Sequence, residues 1–191
     1  MDIRITPSAG GVFTPFTISR NLAGLPGWFP LDPQSTPFPT YYPFVLANKT
    51  PDTLSVGSNE FLTGESLFLT PGPQGQRDVV RWTAPAAGTY LVQGLFQAMS
   101  PSFSAQDIAI VVQGTDLLRR NLSKAPDAAP FSFVRTLAAG EVVEFSVGWG
   151  PDSNFAFDDT ILSVRITPAG SPATQAHVQP ARHVRPAPHG Q

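Results

Sequence analysis

The chain has 191 residues, with 12 basic and 14 acidic side chains, a formal net charge of −2 and no cysteine. This length fits a single domain. The basic residues are scattered, with Arg119-Arg120 as the one doublet, so the basic stripe of a nucleic-acid-binding protein is missing. The lack of cysteine excludes disulfides, thiolate metal sites and cysteine nucleophiles. No apolar run approaches a membrane helix in length, so no membrane insertion is expected, and the first residues lack a secretion-signal pattern.

The first ten residues contain a phrase that recurs near the end of the chain. Ile3-Arg-Ile-Thr-Pro matches Val164-Arg-Ile-Thr-Pro. Two interpretations stay open. Residues 1–10 could be an N-terminal strand left from a preceding, similar unit of a tandem array, or the two phrases could be paired strands of similar composition.

Residues 11–56 are rich in proline and are predicted to be dominated by loops. Proline cannot donate to a strand ladder, so we expect extended edge segments only near residues 12–18 and 43–46. Trp28 follows Pro26-Gly27 in this region. Of the three tryptophans, this is the one that core packing explains least well. Two roles are equally supported for it: binding a ligand, or plugging the mouth of the sandwich.

From residue 66 onward, short apolar runs alternate with turn signals. Side chains in these runs alternate between apolar and polar, as in Val143, Phe145 and Val147 against Glu144 and Ser146, and such alternation is typical of half-buried strands. The run over residues 88–98 is apolar on both faces and is predicted to be a central strand. The predicted strands span residues 66–70, 78–83, 88–98, 106–113, 116–122, 131–137, 141–149 and 160–167.

This pattern predicts an all-β fold, an antiparallel β-sandwich of the jelly-roll kind over residues 11–170. In it, Trp82 is expected in the core beside Val80, and core packing is favoured for Trp149. Residues 171–191 are rich in proline and alanine and are predicted to form a disordered, dispensable tail. All three histidines, at positions 177, 183 and 189, lie there, and incidental placement is favoured over a metal-binding tract.

The distribution of catalytic residue types argues against an enzyme. A serine–histidine–carboxylate site needs a base beside its nucleophile, but the histidines lie in the tail and no Gly-x-Ser-x-Gly sequence occurs. A glycosidase needs two carboxylates in one cleft, and no pair stands out. We therefore predict a non-catalytic domain, with a hydrolase as the disfavoured alternative.

Candidate ligand-binding residues combine aromatic surface with carboxylate and amide groups. Aromatic faces stack on sugar rings, while a few polar groups fix their orientation. Asp158 and Asp159 are also the candidate calcium ligands, since calcium takes oxygen ligands, although aspartate and asparagine are equally ordinary turn residues. The predicted site lies among loops at one end of the sandwich and consists of Trp28, Asp152, Asn154, Phe155, Asp158 and Asp159.

One stretch carries a family resemblance. Residues 67–90 read LFLTPGPQGQRDVVRWTAPAAGTY. This run resembles the extracellular β-sandwich domains of bacterial PEP-CTERM-sorted and planctomycete surface proteins, and more loosely carbohydrate-binding modules and C1q-like jelly rolls. The likeness covers residues 24–167, although Thr70 stands where that family has histidine.

The resemblance implies a bacterial, secreted or cell-surface, non-catalytic module. Its expected partner is a glycan or a surface protein, as in adhesion. The alternative is a structural jelly-roll module that self-associates or forms tandem repeats without a small ligand.

Overall fold

The regular secondary structure of the described residues consists almost entirely of β-strands. A computed structural model describes residues 2–6, 14–57, 60–102 and 105–169. Within them, helical structure is limited to a 3-10 turn at Gly150–Asp152, and no helix is long and apolar enough to cross a membrane. The strands are β1 (Asp2–Thr6), β2 (Thr14–Pro15), β3 (Ile18–Leu22), β4 (Leu25–Phe29), β5 (Phe44–Asn48), β6 (Leu54–Gly57), β7 (Glu60–Leu62), β8 (Ser66–Thr70), β9 (Arg77–Thr83), β10 (Gly88–Ala98), β11 (Asp107–Val112), β12 (Thr115–Asn121), β13 (Ala128–Leu137), β14 (Val142–Gly148) and β15 (Thr160–Pro168).

These strands form two large antiparallel sheets and one separate hairpin. Sheet A has the order β12-β11-β14-β9-β1-β2, sheet B has the order β13-β10-β15-β8-β5-β4-β3, and β6 pairs with β7. The prediction of an antiparallel β-sandwich is confirmed. Each of the strands predicted after residue 66 is present with boundaries shifted by three residues or fewer.

The inner faces of the two sheets form one hydrophobic core, because alternate residues of each strand point inward. Val143, Phe145 and Val147 of β14 are buried in it, as their spacing predicts. Val80 of β9 is fully buried, and Trp82 is partly buried and packs against the same core. β10 lies between β13 and β15, which confirms the prediction that it is a central strand.

A second hydrophobic cluster covers part of the other face of sheet B. Phe44, Leu46, Phe68 and Ile161 belong to it, and they alternate along their strands with residues of the main core. Leu62 of the β6–β7 hairpin completes this cluster. Strands β5 and β8 are therefore buried on both faces.

The prediction that residues 11–56 consist mainly of loops is wrong at two places in sheet B. The first is the hairpin of β3 and β4, joined by Ala23 and Gly24 with φ of 52° and 79°. Two successive positive φ angles are typical of the tight turns that join hairpin strands. Pro26 fits into β4 because the β4–β5 ladder is limited to Gly27 and Trp28, so the missing N–H interrupts no pairing with β5.

The second place is residues 43–46, for which the sequence predicts a sheet edge. β5 lies between β4 and β8, and all five of its residues are buried. Proline does not interfere because Pro43 precedes the strand. On this side of sheet B the edge strand is β3 instead.

The repeated phrase occupies two different sheets. β1 pairs with β9 and β2 in sheet A, whereas β15 pairs with β10 and β8 in sheet B. The two copies are thus not paired with each other, while the tandem-array interpretation and the domain boundaries stay predictions. The tail over residues 171–191, with its histidines, lies outside the described residues.

Candidate functional site

One end of the sandwich carries two neighbouring concave surfaces. There β14 ends and residues 149–159 cross from sheet A to β15 of sheet B. On one side lies the Trp149 groove, of about 370 Å³, lined by Gly75, Arg77, Asp107, Arg119, Asn121, Gly148, Trp149, Gly150 and Pro151. On the other side lies the aromatic cavity, of about 290 Å³, lined by Phe38, Tyr42, Glu60, Thr70, Phe155, Ala156, Phe157 and Asp159.

Two glycines shape the Trp149 groove. A Cβ atom on Gly148 would lie 2.6 Å from Nη1 of Arg77, so this glycine lets the arginine lie against the strand. Gly150 has φ of 64°, and a Cβ atom there would overlap the carbonyl oxygen of Ala105. Trp149 follows the last residue of β14 and is half-buried. The favoured core role of Trp149 thus gives way to a position in the groove wall.

A network of ion pairs holds two guanidinium groups in this groove. Asp107 Oδ2 accepts hydrogen bonds from Nη1 of Arg77 and from Nη1 of Arg119, the latter at 2.8 Å. Arg77 also donates to the Ser146 hydroxyl from Nε and Nη2, at 3.2 and 3.0 Å. Arg119 donates from Nε to Asp116 at 2.7 Å. Asp107 therefore fixes both guanidinium groups before any ligand arrives.

Some hydrogen-bonding capacity remains unused in the groove. The Arg119 side chain is 51% exposed, and its Nη2 has no hydrogen-bond partner among the described residues. Asn121 is exposed beside it. Charge-assisted donors are stronger than neutral ones, and here they border an aromatic side chain. This combination suits a ligand with one apolar face and several hydroxyl groups.

The aromatic cavity is built from rings that meet nearly at right angles. Phe38 and Tyr42 have centroids 5.5 Å apart and an interplanar angle of 90°. Tyr42 and Phe155 have centroids 5.6 Å apart and an angle of 75°. Because neighbouring rings are nearly perpendicular, they form adjoining walls of the cavity and do not stack face to face.

Carboxyl groups in and beneath this cavity have raised pKa values. Removal from water, and then the negative charge of Glu60, raises the pKa of Asp159 to about 7, against a hydrogen bond from Thr70. Burial likewise raises the pKa of Glu60. Asp78 is fully buried, and burial raises its pKa although the Thr70 N–H donates to its Oδ2 at 2.7 Å. Several carboxyl groups therefore lie together in and beneath the aromatic cavity, where they are partly or fully removed from water.

The structure brings two of the six predicted site residues together, since Phe155 and Asp159 line the aromatic cavity. Asp152 and Asn154 lie in an exposed turn, where each side-chain oxygen accepts a backbone N–H two residues later. Asp158 is buried below the surface. Its Oδ1 accepts from the Ala105 N–H at 3.3 Å, and its Oδ2 has no hydrogen-bond partner among the described residues.

The prediction that Trp28 lies on a loop near these residues is wrong. It lies in β4 opposite Val45 and packs against the main core. It lines a different groove, with Lys49 Nζ 6.0 Å from the ring centroid. This groove follows the Ser66 end of β8, while the aromatic cavity lies at the Thr70 end. The proline and glycine before Trp28 belong to a strand that the sequence pattern did not reveal.

Sequence reasoning did not identify the polar residues of the Trp149 groove. Arg77 and Asp107 are the first residues of their strands, and Asn121 is the last of its strand. A polar residue where an apolar strand begins or ends was the available signal. It gives no indication of which strand ends meet in the fold.

The calcium prediction has no structural support beyond the residue types. Among the residues that the structure describes, no three histidine, cysteine, aspartate or glutamate side chains are grouped to hold a metal ion. Glu60 and Asp159, however, share one cavity. This is the pairing of carboxyl groups that a hydrolase would need as a minimum.

No protein-family model and no curated protein matches the chain. Among solved structures, it is similar to a family 51 carbohydrate-binding module from Clostridium perfringens in complex with methyl-galactose, at 8% identity, covering 64% of this chain and 86% of that one, with a TM-score of 0.42. A mannan-binding module shows 21% identity, coverage of 65% and 98%, and a TM-score of 0.33. A family 35 carbohydrate-binding module from Clostridium thermocellum shows 14% identity, coverage of 63% and 96%, and a TM-score of 0.35.

These likenesses are distant, and at such identities and TM-scores they say nothing about a ligand or a site in this chain. The resemblance to PEP-CTERM-sorted and planctomycete surface domains finds no counterpart among them and stays a prediction.

Proposed function

We propose that the protein is a non-catalytic carbohydrate-binding domain and that the Trp149 groove is its glycan site. The observation that carries the proposal is the combination of Trp149 with two guanidinium groups held in place by Asp107. An indole ring offers a flat apolar surface to a pyranose ring. Nη2 of Arg119, which has no partner within the described part of the chain, is placed to donate to a sugar hydroxyl.

Preorganisation supports the same proposal. A binding site loses less entropy when its polar groups are already fixed in the free protein. Arg77 is fixed by Ser146 and Asp107 together. The groove is open at the end of the sandwich, so a chain end or a branch of a larger glycan has access. The proposal includes a secreted or cell-surface location for the protein.

The test is a glycan array on the full chain, followed by titration calorimetry with the best ligand. Trp149→Ala is expected to weaken binding by about two- to tenfold, since stacking on an aromatic ring contributes on the order of 0.5–1.5 kcal/mol. Arg119→Ala should weaken binding as well, with both variants melting like the parent. Trp28→Ala is the matched control, because it removes an indole from the other groove and should leave the affinity unchanged.

Two results would contradict the proposal. Loss of binding in Trp28→Ala with full binding in Trp149→Ala would place the glycan at the Trp28 groove. Absence of glycan binding by a protein that forms a stable oligomer would favour the structural alternative. One observation supports that alternative: β13 is a ten-residue edge strand of sheet B with Val134 half exposed, and unpaired edges recruit further strands.

A further inference from the structure

The aromatic cavity is separate from the Trp149 groove and has no part in the function proposed above. Its rim exposes two phenyl rings, Phe38 at 66% and Phe157 at 51%. Phe157 also has φ of 70°, a left-handed backbone conformation that is unfavourable for a residue with a bulky side chain. Folding alone does not account for a strained residue that exposes an apolar ring. Such outliers are found preferentially at functional sites.

The charges of the cavity are of one sign. Its lining contains the carboxyl groups of Glu60 and Asp159 and, within the described part of the chain, no lysine or arginine. Asp159 acts electrostatically on Asp158 and Asp78, two buried carboxyl groups nearby. A cation bound in the cavity would offset the repulsion between these carboxylates. It would also favour the ionised form of Glu60 and Asp159.

The walls exclude most cations. Calcium takes six to eight oxygen ligands, whereas the cavity offers few oxygen atoms between hydrocarbon surfaces. The faces of aromatic rings attract organic cations, most strongly those that shed water easily. The volume of about 290 Å³ suits a small molecule and not a polymer.

We propose that the aromatic cavity binds a small organic ammonium ion, held by its aromatic rings and by the carboxylates of Glu60 and Asp159. The quaternary or substituted amine sits against the rings, and the carboxylates supply the opposite charge. Phe155 belongs to the segment of residues 149–159 that joins the two sheets, and its ring forms one wall of the cavity.

The test uses the full chain at pH 8.5 and three probes: choline, tetramethylammonium and 3,3-dimethylbutan-1-ol, the uncharged isostere of choline. Titration calorimetry and NMR shift mapping should show both cations binding, with choline at least about tenfold tighter than the isostere. Asp159→Asn should lower the choline affinity by a similar factor and leave the isostere unaffected. Asp152→Asn removes a carboxylate of the same loop outside the lining and should change neither.

Phe155→Leu is the second variant if Asp159→Asn does not fold, and it should weaken choline binding while keeping the charge. Trp149→Ala should bind choline like the parent, so that failure of the glycan proposal and failure of this one are told apart. No binding of either cation, or equal binding of choline and its isostere, overturns the proposal. Cleavage of nitrophenyl glycosides that Asp159→Asn abolishes would overturn it too, since Glu60 and Asp159 would then be a catalytic pair.

Discussion

Trp82 joins the two sheets through a contact between single residues. Its ring meets that of Tyr90 edge to face, with centroids 5.0 Å apart, and the Tyr90 hydroxyl donates to the Ala86 carbonyl at 2.8 Å. Trp82→Ala empties this site and is expected to cost about 3 kcal/mol of unfolding free energy, the low end for an aromatic side chain because Trp82 is only partly buried. Urea denaturation measures the loss. Val134→Ala, at an exposed position, should stay within about 0.5 kcal/mol, and a Trp82→Ala variant as stable as the parent would show that the indole does not pack here.

Gly150 and Gly114 both have positive φ, 64° and 75°, but differ in their surroundings. At Gly114 a Cβ atom meets nothing within 4 Å, whereas at Gly150 it overlaps the backbone of Ala105. We expect Gly114→Ala to cost about 1 kcal/mol for backbone strain alone. Gly150→Ala should cost more than twice as much, because the backbone of the loop must also move. Thermal unfolding of both variants measures the difference, and equal costs would mean that the approach to Ala105 is not tight.

The elements of the fold were predictable wherever one face is buried and the other is not. β14 alternates apolar and polar residues, so its strand character and its inward face follow from period two. β5 and β8 are buried on both faces, and β8 was still found because turn signals bound it on both sides. β4 is not predicted because Pro26 and Gly27 are typical of loops. A strand can accommodate this proline only where the neighbouring β5 does not extend to pair with it, and the local sequence does not show how far β5 extends.

The candidate site was less predictable than the elements that carry it. Phe155 and Asp159 were identified because they occupy one short stretch of loop. Arg77 and Asp107 are 30 residues apart and meet only because β9 and β11 both flank β14. Strand order in a sheet depends on long-range pairing, which a local pattern does not contain. Trp149 shares the alternation of β14, but the strand ends one residue before it.

At the scale of the whole molecule, the buried carboxyl groups make stability depend on pH. Burial, with the charges of Asp152 and Asp159, raises the pKa of Asp158 to about 8, and the pKa of Asp159 is raised to about 7. An unfolded aspartate has a pKa of about 3.9. The folded state therefore binds more protons than the unfolded state between these values. Stability is complete below about pH 4 for these groups and falls as the pH rises toward 8.

We expect the free energy of unfolding to be at least ~2 kcal/mol lower at pH 9 than at pH 5.5, which for a chain of this size lowers the Tm by roughly 4–8 °C. The measurement starts at pH 5.5 because carboxylates whose pKa is lowered, such as Asp127, are already ionised there. Differential scanning calorimetry across this range measures the effect. The Asp158→Asn, Asp159→Asn double variant keeps an oxygen acceptor at both positions but cannot ionise there, so its Tm should fall less than that of the parent. The decrease that remains is expected from Asp78 and Glu60, whose pKa values burial also raises. A parent protein whose Tm rises toward pH 9 would show that these carboxyl groups are ionised at little cost in the folded state.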